Sequence, residues 1–210
     1  NNFGQHIVTA DVRDVDPKEL VKQIDGEVEY FHASPVCKNY SQAKSNHAEV
    51  ELDKETAAST AEFINAVKPE KLLVFTGRND QIDNITSKLQ FKDIECASLS
   101  SRTDKKERKA AIDRFRSGKI KVLVTTDLTS RGLDIPGITH VVQMDLPEKE
   151  DFFIHRSGRT ARAGKTGINC VIGDAFEMQN YAKLEKKLKI VVYPKMLYKG
   201  ALVDPNDVME

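Results

Sequence analysis

The sequence predicts an α/β protein: a mostly parallel β-sheet flanked by helices on both faces, preceded by an N-terminal extension or linker. Short apolar, β-branched runs bounded by turn residues read as buried strands. Segments between them carry helical periodicity, and such alternation favours parallel strands joined by crossover helices. With 210 residues and 40% hydrophobic content, the chain can also bury one substantial core.

The expected strands are 71–76 (KLLVFT), 120–126 (KIKVLVTT), 139–145 (THVVQMD) and 167–172 (GINCVI), with weaker ones at 47–52 (HAEVEL) and 94–99 (IECASL). Helices are expected at 55–67, 79–90, 104–116 and 175–188, and EKEDFFIHRSG also reads as helical. The helix at 104–116 is the clearest. Asp104 and Glu107 have the spacing of a capping box, Arg108, Ala111, Ile112 and Phe115 share a face, and Gly118 follows as a stop. Residues 1–46 break the rhythm: a helix is expected from Asp16-Pro17, and FHASPVCKNYSQAKSN reads as a connector. The expected division is therefore 1–46 as linker or tail of a preceding domain, 47–192 as the main domain and 193–210 as a C-terminal tail.

No apolar run approaches the roughly 18 residues of a membrane helix, and the start lacks a signal-peptide pattern. Cys37, Cys96 and Cys170 have no metal-ligand spacing and fit reduced thiols in an intracellular protein; no metal site is expected in this chain. The first residue is not Met, so a fragment of a longer protein is expected. Net charge is zero but unevenly spread: residues 11–29 hold seven acids against three bases, and 102–121 nine bases against three acids. A neutral total can thus conceal a basic face.

Ligands of open parallel sheets bind at the carboxyl ends of the strands. There the sequence places Gly77-Arg78-Asn79, then Asp127 through Asp134, then the stretch HRSGRTARAGKTG. Its Gly-Lys-Thr ending is a poor phosphate loop, since five residues separate Gly158 from Gly164 and a helix, not a strand, precedes it. Gly164-Lys165-Thr166-Gly167 reads instead as a turn into the next strand. Arg156, Arg159 and Arg162 are spaced to share a helical face. Two readings stand open for them: pairing with acids such as Asp127, Asp134 or Asp145, or contact with a phosphate, which the planar, permanently charged guanidinium suits.

TTDLTSRGLDIPGITHVVQMDLP followed by HRSGRTARAGKTG resembles motifs V and VI of the DEAD-box RNA helicases of superfamily 2, and LLVFTGRND stands at their motif IV. KKERKAAIDRFRSGKIKVLVTTD is similar to the family's lead-in to motif V, and the resemblance runs from about 47 to 190. It implies a RecA-like three-layer fold, the second of two such domains in an ATP-driven motor. By this resemblance Arg159 and Arg162 are arginine fingers directed at the γ-phosphate of ATP, and Gly132 and Asp134 lie at the nucleotide, Asp134 on its ribose. His155 and Arg156 would contact the first domain and couple nucleotide to RNA. Gly77, Arg78, Thr126 and Arg131 would touch the RNA backbone, with Lys105, Lys106 and Arg108 adding positive field.

ATP and Mg²⁺ are implied as cofactors held mainly by the first domain, because no Walker A loop, acidic box or Q motif occurs here; the chain alone is expected to turn over essentially no ATP. The implied partners are RNA, that first domain and regulatory proteins, with no membrane. Thr9-Ala10-Asp11 aligns with motif III, where the family carries Ser-Ala-Thr. Other departures mark a divergent member: Leu99-Ser100-Ser101-Arg102 replaces the usual His-Gly, Ala161 stands where Gly is usual, and Arg78 where Thr is common. The competing class is a RecA-like RNA-binding or scaffold module from an inactive homologue.

Overall fold

The computed structural model describes residues 26–34, 46–173 and 175–207. Its elements in chain order are β1 (Gly26–Ser34), α1 (Asn46–Val67), β2 (Leu72–Phe75), α2 (Ile82–Phe91), β3 (Cys96–Leu99), α3 (Lys105–Arg116) and β4 (Val122–Thr125). They continue as α4 (Asp127–Ser130), β5 (His140–Gln143), α5 (Glu150–Ser157), β6 (Lys165–Ile172), α6 (Ala175–Leu188), β7 (Val192–Tyr198) and β8 (Ala201–Val203), before a 3₁₀ turn at Pro205–Asp207. The strands form one sheet in the order β3-β4-β2-β5-β6-β1-β7-β8, parallel throughout except for the β7–β8 hairpin.

Side chains alternate between two faces, so each central strand feeds two cores. Leu72, Val74, Val122, Val124, Val142, Cys170 and Ile172 pack under α1 and α2. On the opposite face Leu73, Phe75, Leu123 and Val141 pack with Phe115 of α3 and with Leu133, Ile135 and Ile138. Phe153 and Ile154 of α5 join Tyr181 and Leu188 of α6 against Tyr30 and Val171. This is the expected three-layer arrangement. It follows from continuous apolar strands that require cover on both sides.

Three local expectations are corrected. HAEVEL is the first part of the 22-residue helix α1, not a strand, because its helix-forming residues continue without a break into the helical pattern at 55–67. Residues 26–34, placed before the domain, form β1, inserted between β6 and β7; Val28 and Tyr30 bring an apolar alternation that packs beside α5 and α6. Residues 192–203, largely assigned to a tail, close the sheet as a hairpin turning at Lys199-Gly200. The expected helix at Asp16-Pro17 and the Thr9-Ala10-Asp11 alignment lie outside the described residues.

The Asp104 N-cap is present, its carboxylate accepting the Glu107 N–H at 2.8 Å. Gly164 (φ +69°) turns the chain and β6 begins at Lys165, so Gly-Lys-Thr is a turn into a strand. Just beyond it, Gly167 has no room for a side chain: a Cβ there would lie 2.7 Å from the Ala161 nitrogen and closer still to Thr160 Oγ1. The Thr160 hydroxyl is itself held at 2.6 Å by the Ile138 carbonyl. Gly167→Ala should therefore destabilise the chain by about 1–3 kcal/mol, the usual range for overpacking, as read by urea unfolding.

Candidate functional site

Three loops leave the carboxyl ends of β2, β4 and β5, and one buried arginine joins them. Arg156, near the end of α5, is 1% exposed. Its Nε and Nη2 donate to the two oxygens of Asp127 at 2.8 and 2.7 Å. Nη1 donates to the Asp145 carbonyl at 2.9 Å and to Asp145 Oδ1 at 3.1 Å. The guanidinium also lies 5.4 Å from the centre of the Phe75 ring. Burial opposes its charge, but Asp127 and Asp145 outweigh that effect and raise its pKa above the ordinary arginine value.

Each carboxylate extends the connection. Asp127 is the first residue of α4, whose N-cap is Thr126; the Thr126 and Thr129 side chains form a reciprocal capping box. Asp145 Oδ2 accepts the Gly77 N–H at 2.5 Å, and a Cβ at Gly77 would stand 3.2 Å from Asp145 Oδ1. The residues named as motifs IV, V and VI are thus tied to one another at the sheet edge.

The three arginines do not share a helical face, as their spacing had suggested. Helix α5 stops at Ser157 with Gly158 as its C-cap, so Arg159 and Arg162 lie on the loop beyond it. Arg156 takes the acid-pairing role and is buried between Asp127 and Asp145. Arg159 is half-buried. Its Nη1 donates to the Leu133 carbonyl at 3.1 Å, its Nε is buried without a partner, and it forms no ion pair among the described residues. Burial, and then the neighbouring Arg162, push its pKa down. Arg162 Nε donates to the Gly158 carbonyl at 3.0 Å, and Nη1 lies 3.2 Å from the exposed carboxylate of Asp134. An exposed pair of this kind contributes little to stability.

Gly132 has φ +72° with open space where a side chain would stand. Asp134 is also held through its backbone, its carbonyl accepting from Arg116 Nη2 at 2.9 Å. Arg131, Gly132, His155 and Arg159 share a cleft of about 760 Å³ with Glu148 and Phe152. Burial, followed by the charge of Arg159, lowers the pKa of His155.

Of the remaining expected residues, Arg131 is exposed and Arg78 partly so on the motif IV loop. Thr126 is buried and employs its hydroxyl in the α4 cap. Arg108 sends Nη2 to the Thr129 carbonyl at 2.7 Å, so it braces α4. Sequence reasoning missed Gln143 and Asn169, which lie fully buried beneath Arg156. The available signal was a polar residue at a core-facing strand position in VVQMD and in GINCV.

A family model described as the helicase conserved C-terminal domain matches residues 55–164, and the chain belongs to that family. It carries a RecA-like C-terminal domain of the DEAD-box type. It is 38% identical over 134 residues to the DEAD-box ATP-dependent RNA helicase CshC of Bacillus cereus, covering 64% of this chain and 34% of that protein. The identity to the ATP-dependent RNA helicase SrmB of Haemophilus influenzae is 30% over 175 residues, covering 83% of this chain and 38% of the relative. The chain therefore spans about a third of the length of these curated relatives. In fold it is similar to the E. coli DEAD-box protein SrmB bound to the regulator RraA, with TM-score 0.68, 23% identity and coverage of 80% and 90% of the two chains. It is also similar to S. cerevisiae Dbp5 bound to RNA and ADP BeF3, with TM-score 0.70, 23% identity and coverage of 88% and 44%. No helix among the described residues is long and apolar enough to cross a membrane.

Removing one partner from a buried ion pair typically costs about 3–5 kcal/mol. Arg156→Met should lower unfolding stability by that order, and Arg156→Lys should recover only part, since an ammonium cannot fork onto both carboxylates. A second expectation concerns pH. Burial lowers the pKa of His140, against the opposing pull of Glu70, and it lowers that of His155. Below about pH 6.5 the unfolded chain takes up protons that these folded imidazoles resist. Stability should thus fall as pH drops from 7.5 to 5.5, and His140→Gln should flatten the slope of urea midpoint against pH.

Proposed function

We propose that this chain is the C-terminal half of an ATP-dependent RNA helicase, supplying Arg159 and Arg162 as arginine fingers and part of the RNA-binding surface. The observation that carries this reading is the state of Arg159. Its cation is half-buried and pressed by a second arginine, and among the described residues it makes no ion pair with a carboxylate, only a weaker pull from Asp127 and Asp134 at a distance, an arrangement that an anion would relieve. Arg162 stands beside it on the same loop, and both touch the 133–134 backbone or side chain next to the positive-φ turn at Gly132. In this reading ATP and Mg²⁺ are held mainly by a first RecA-like domain, and Asp134 and Gly132 add contacts on the nucleotide's near side. Phosphoryl transfer is the chemistry of the bound nucleotide. The fingers place fixed positive charge where negative charge builds up.

RNA is assigned to the exposed carboxyl edge, through the Gly77-Arg78 loop, the Thr126 end of α4 and Arg131. Contacts with phosphates carry little sequence information, so binding should be sequence-tolerant and weakened by salt. The solved relatives lend support as a class: Dbp5 is described bound to RNA, SrmB bound to the regulator of ribonuclease activity RraA, and a Dbp5 variant bound to Gle1. His155 borders the cleft and is the residue of its helix best exposed to a first domain, while Arg156 acts from within.

The test is RNA-stimulated ATP hydrolysis by the full-length protein that contains this chain. Arg159→Ala and Arg162→Ala should each reduce turnover by about 10²-fold or more, with little change in ATP affinity, because a finger acts in the closed transition state. Unchanged turnover in both variants would refute the assignment. A wild-type protein that binds RNA without any stimulated hydrolysis would point to the scaffold reading.

A further inference from the structure

Beneath Arg156 the apolar sheet is interrupted by two amides. Gln143 of β5 and Asn169 of β6 lie on the face that carries Phe75, Val141 and Val171, and both are fully buried. Gln143 Nε2 donates to Asn169 Oδ1 at 2.8 Å, and Gln143 Oε1 accepts from Arg156 Nη1 at 3.4 Å. The orientation of both amides is forced. A guanidinium only donates, so Gln143 must turn its oxygen to Arg156 and its nitrogen to Asn169, which must then present its own oxygen. Asn169 Nδ2 is left beside Tyr181 without a hydrogen bond of good geometry. Apolar residues in both positions would avoid that cost, and buried polar groups of this sort define a geometry more than they stabilise a fold.

We propose that Gln143 and Asn169 are a positioning pair for Arg156. The amide couple fixes the tilt of the guanidinium, and thereby the separation of Asp127 from Asp145. That separation sets the end of α4 relative to the Gly77 loop, the two parts of the edge assigned to RNA. Without the Gln143 acceptor, Nη1 keeps only its bonds to Asp145, and the fork is free to rock on the Phe75 ring. The functional consequence rests on the helicase reading; the positioning itself does not.

The experiment has two arms. In the 210-residue chain, the Arg156 Nε–H resonance and its hydrogen exchange are followed by NMR in the wild type, in the doubly apolar Gln143→Met/Asn169→Leu variant and in Gln143→Glu. Replacing both members of a buried polar pair by apolar residues of similar shape is close to neutral for stability. The doubly apolar variant should therefore melt within a few degrees of wild type while its Arg156 Nε–H exchanges at least tenfold faster. Gln143→Glu, which keeps an acceptor and lets the Asn169 amide turn and donate, should retain more of the protection. In the full-length protein the doubly apolar variant should raise the RNA concentration for half-maximal ATPase about tenfold.

Unchanged exchange in a folded doubly apolar variant would overturn the proposal. So would loss of folding in both variants, which would make the pair purely structural. Faster exchange in a protein whose wild type shows no RNA-stimulated hydrolysis would uphold the positioning and remove the helicase reading.

Discussion

A guanidinium with 1% of its surface exposed persists only where carboxylates answer it, and Arg156 has two. Those carboxylates come from different strands, one just after β4 and one just after β5, and the second also holds the backbone that follows β2. The arginine comes from α5. Four segments that the sequence separates by as many as 79 positions therefore have one permitted arrangement at this edge. The energetic argument is about geometry. A buried ion pair offsets much of its attraction against desolvation, so an apolar cluster would serve stability about as well. What apolar contacts do not supply is direction, and this junction fixes both the distance and the angle between loops.

The same termination that frees Arg159 and Arg162 from the helix also decides where they go. Past Gly158 the chain runs along the flank of the sheet toward the amino ends of β5 and β6, with Thr160 bound to the Ile138 carbonyl and Gly167 closing beneath it. Ala161 and Ala163 accept left-handed backbone at φ +53° and +57°, a conformation costing L-residues about 1–2 kcal/mol. The loop is held in a shape its residues do not prefer, by contacts on both sides. That is the condition under which an arginine can be kept half-buried without a counter-ion.

The strands at 72–75, 122–125 and 140–143 were legible because burial on both faces leaves little but apolar, often β-branched residues, while the edge strand 96–99 (CASL), half-buried in its middle, gave only a weak signal. HAEVEL misled because its alternating Ala, Val and Leu satisfy a two-residue period as well as a helical one, and only the 22-residue context resolves it. GEVEYFHAS was passed over because Glu27 and Glu29 are charged and exposed, although Val28 and Tyr30 pack toward α5 and α6 and Phe31 packs against the core on the other face. Motif order pointed to this edge, and the acid-pairing alternative for the arginines named the carboxylates that Arg156 and Arg162 meet. Spacing alone could not assign different fates to three arginines set three apart, since that depended on Gly158 ending the helix. The burial of Arg156, the bracing role of Arg108 and the capping role of Thr126 are tertiary facts without a local signature.

Two regions meet at the cleft shared by Arg131 and Arg159, and they differ in kind. The carboxyl edge presents backbone and partly exposed side chains around Gly77, Arg78 and Arg131, while the flank presents guanidinium groups around a positive-φ turn. Arg156 touches neither solvent face, yet its partners belong to the edge and its helix leads into the flank. A shift of α5 would move the flank loop directly and the edge loops through Asp127 and Asp145. Any communication between the two sets of loops has a short route on this geometry, since Arg156 contacts the edge carboxylates directly and its helix leads into the flank loop.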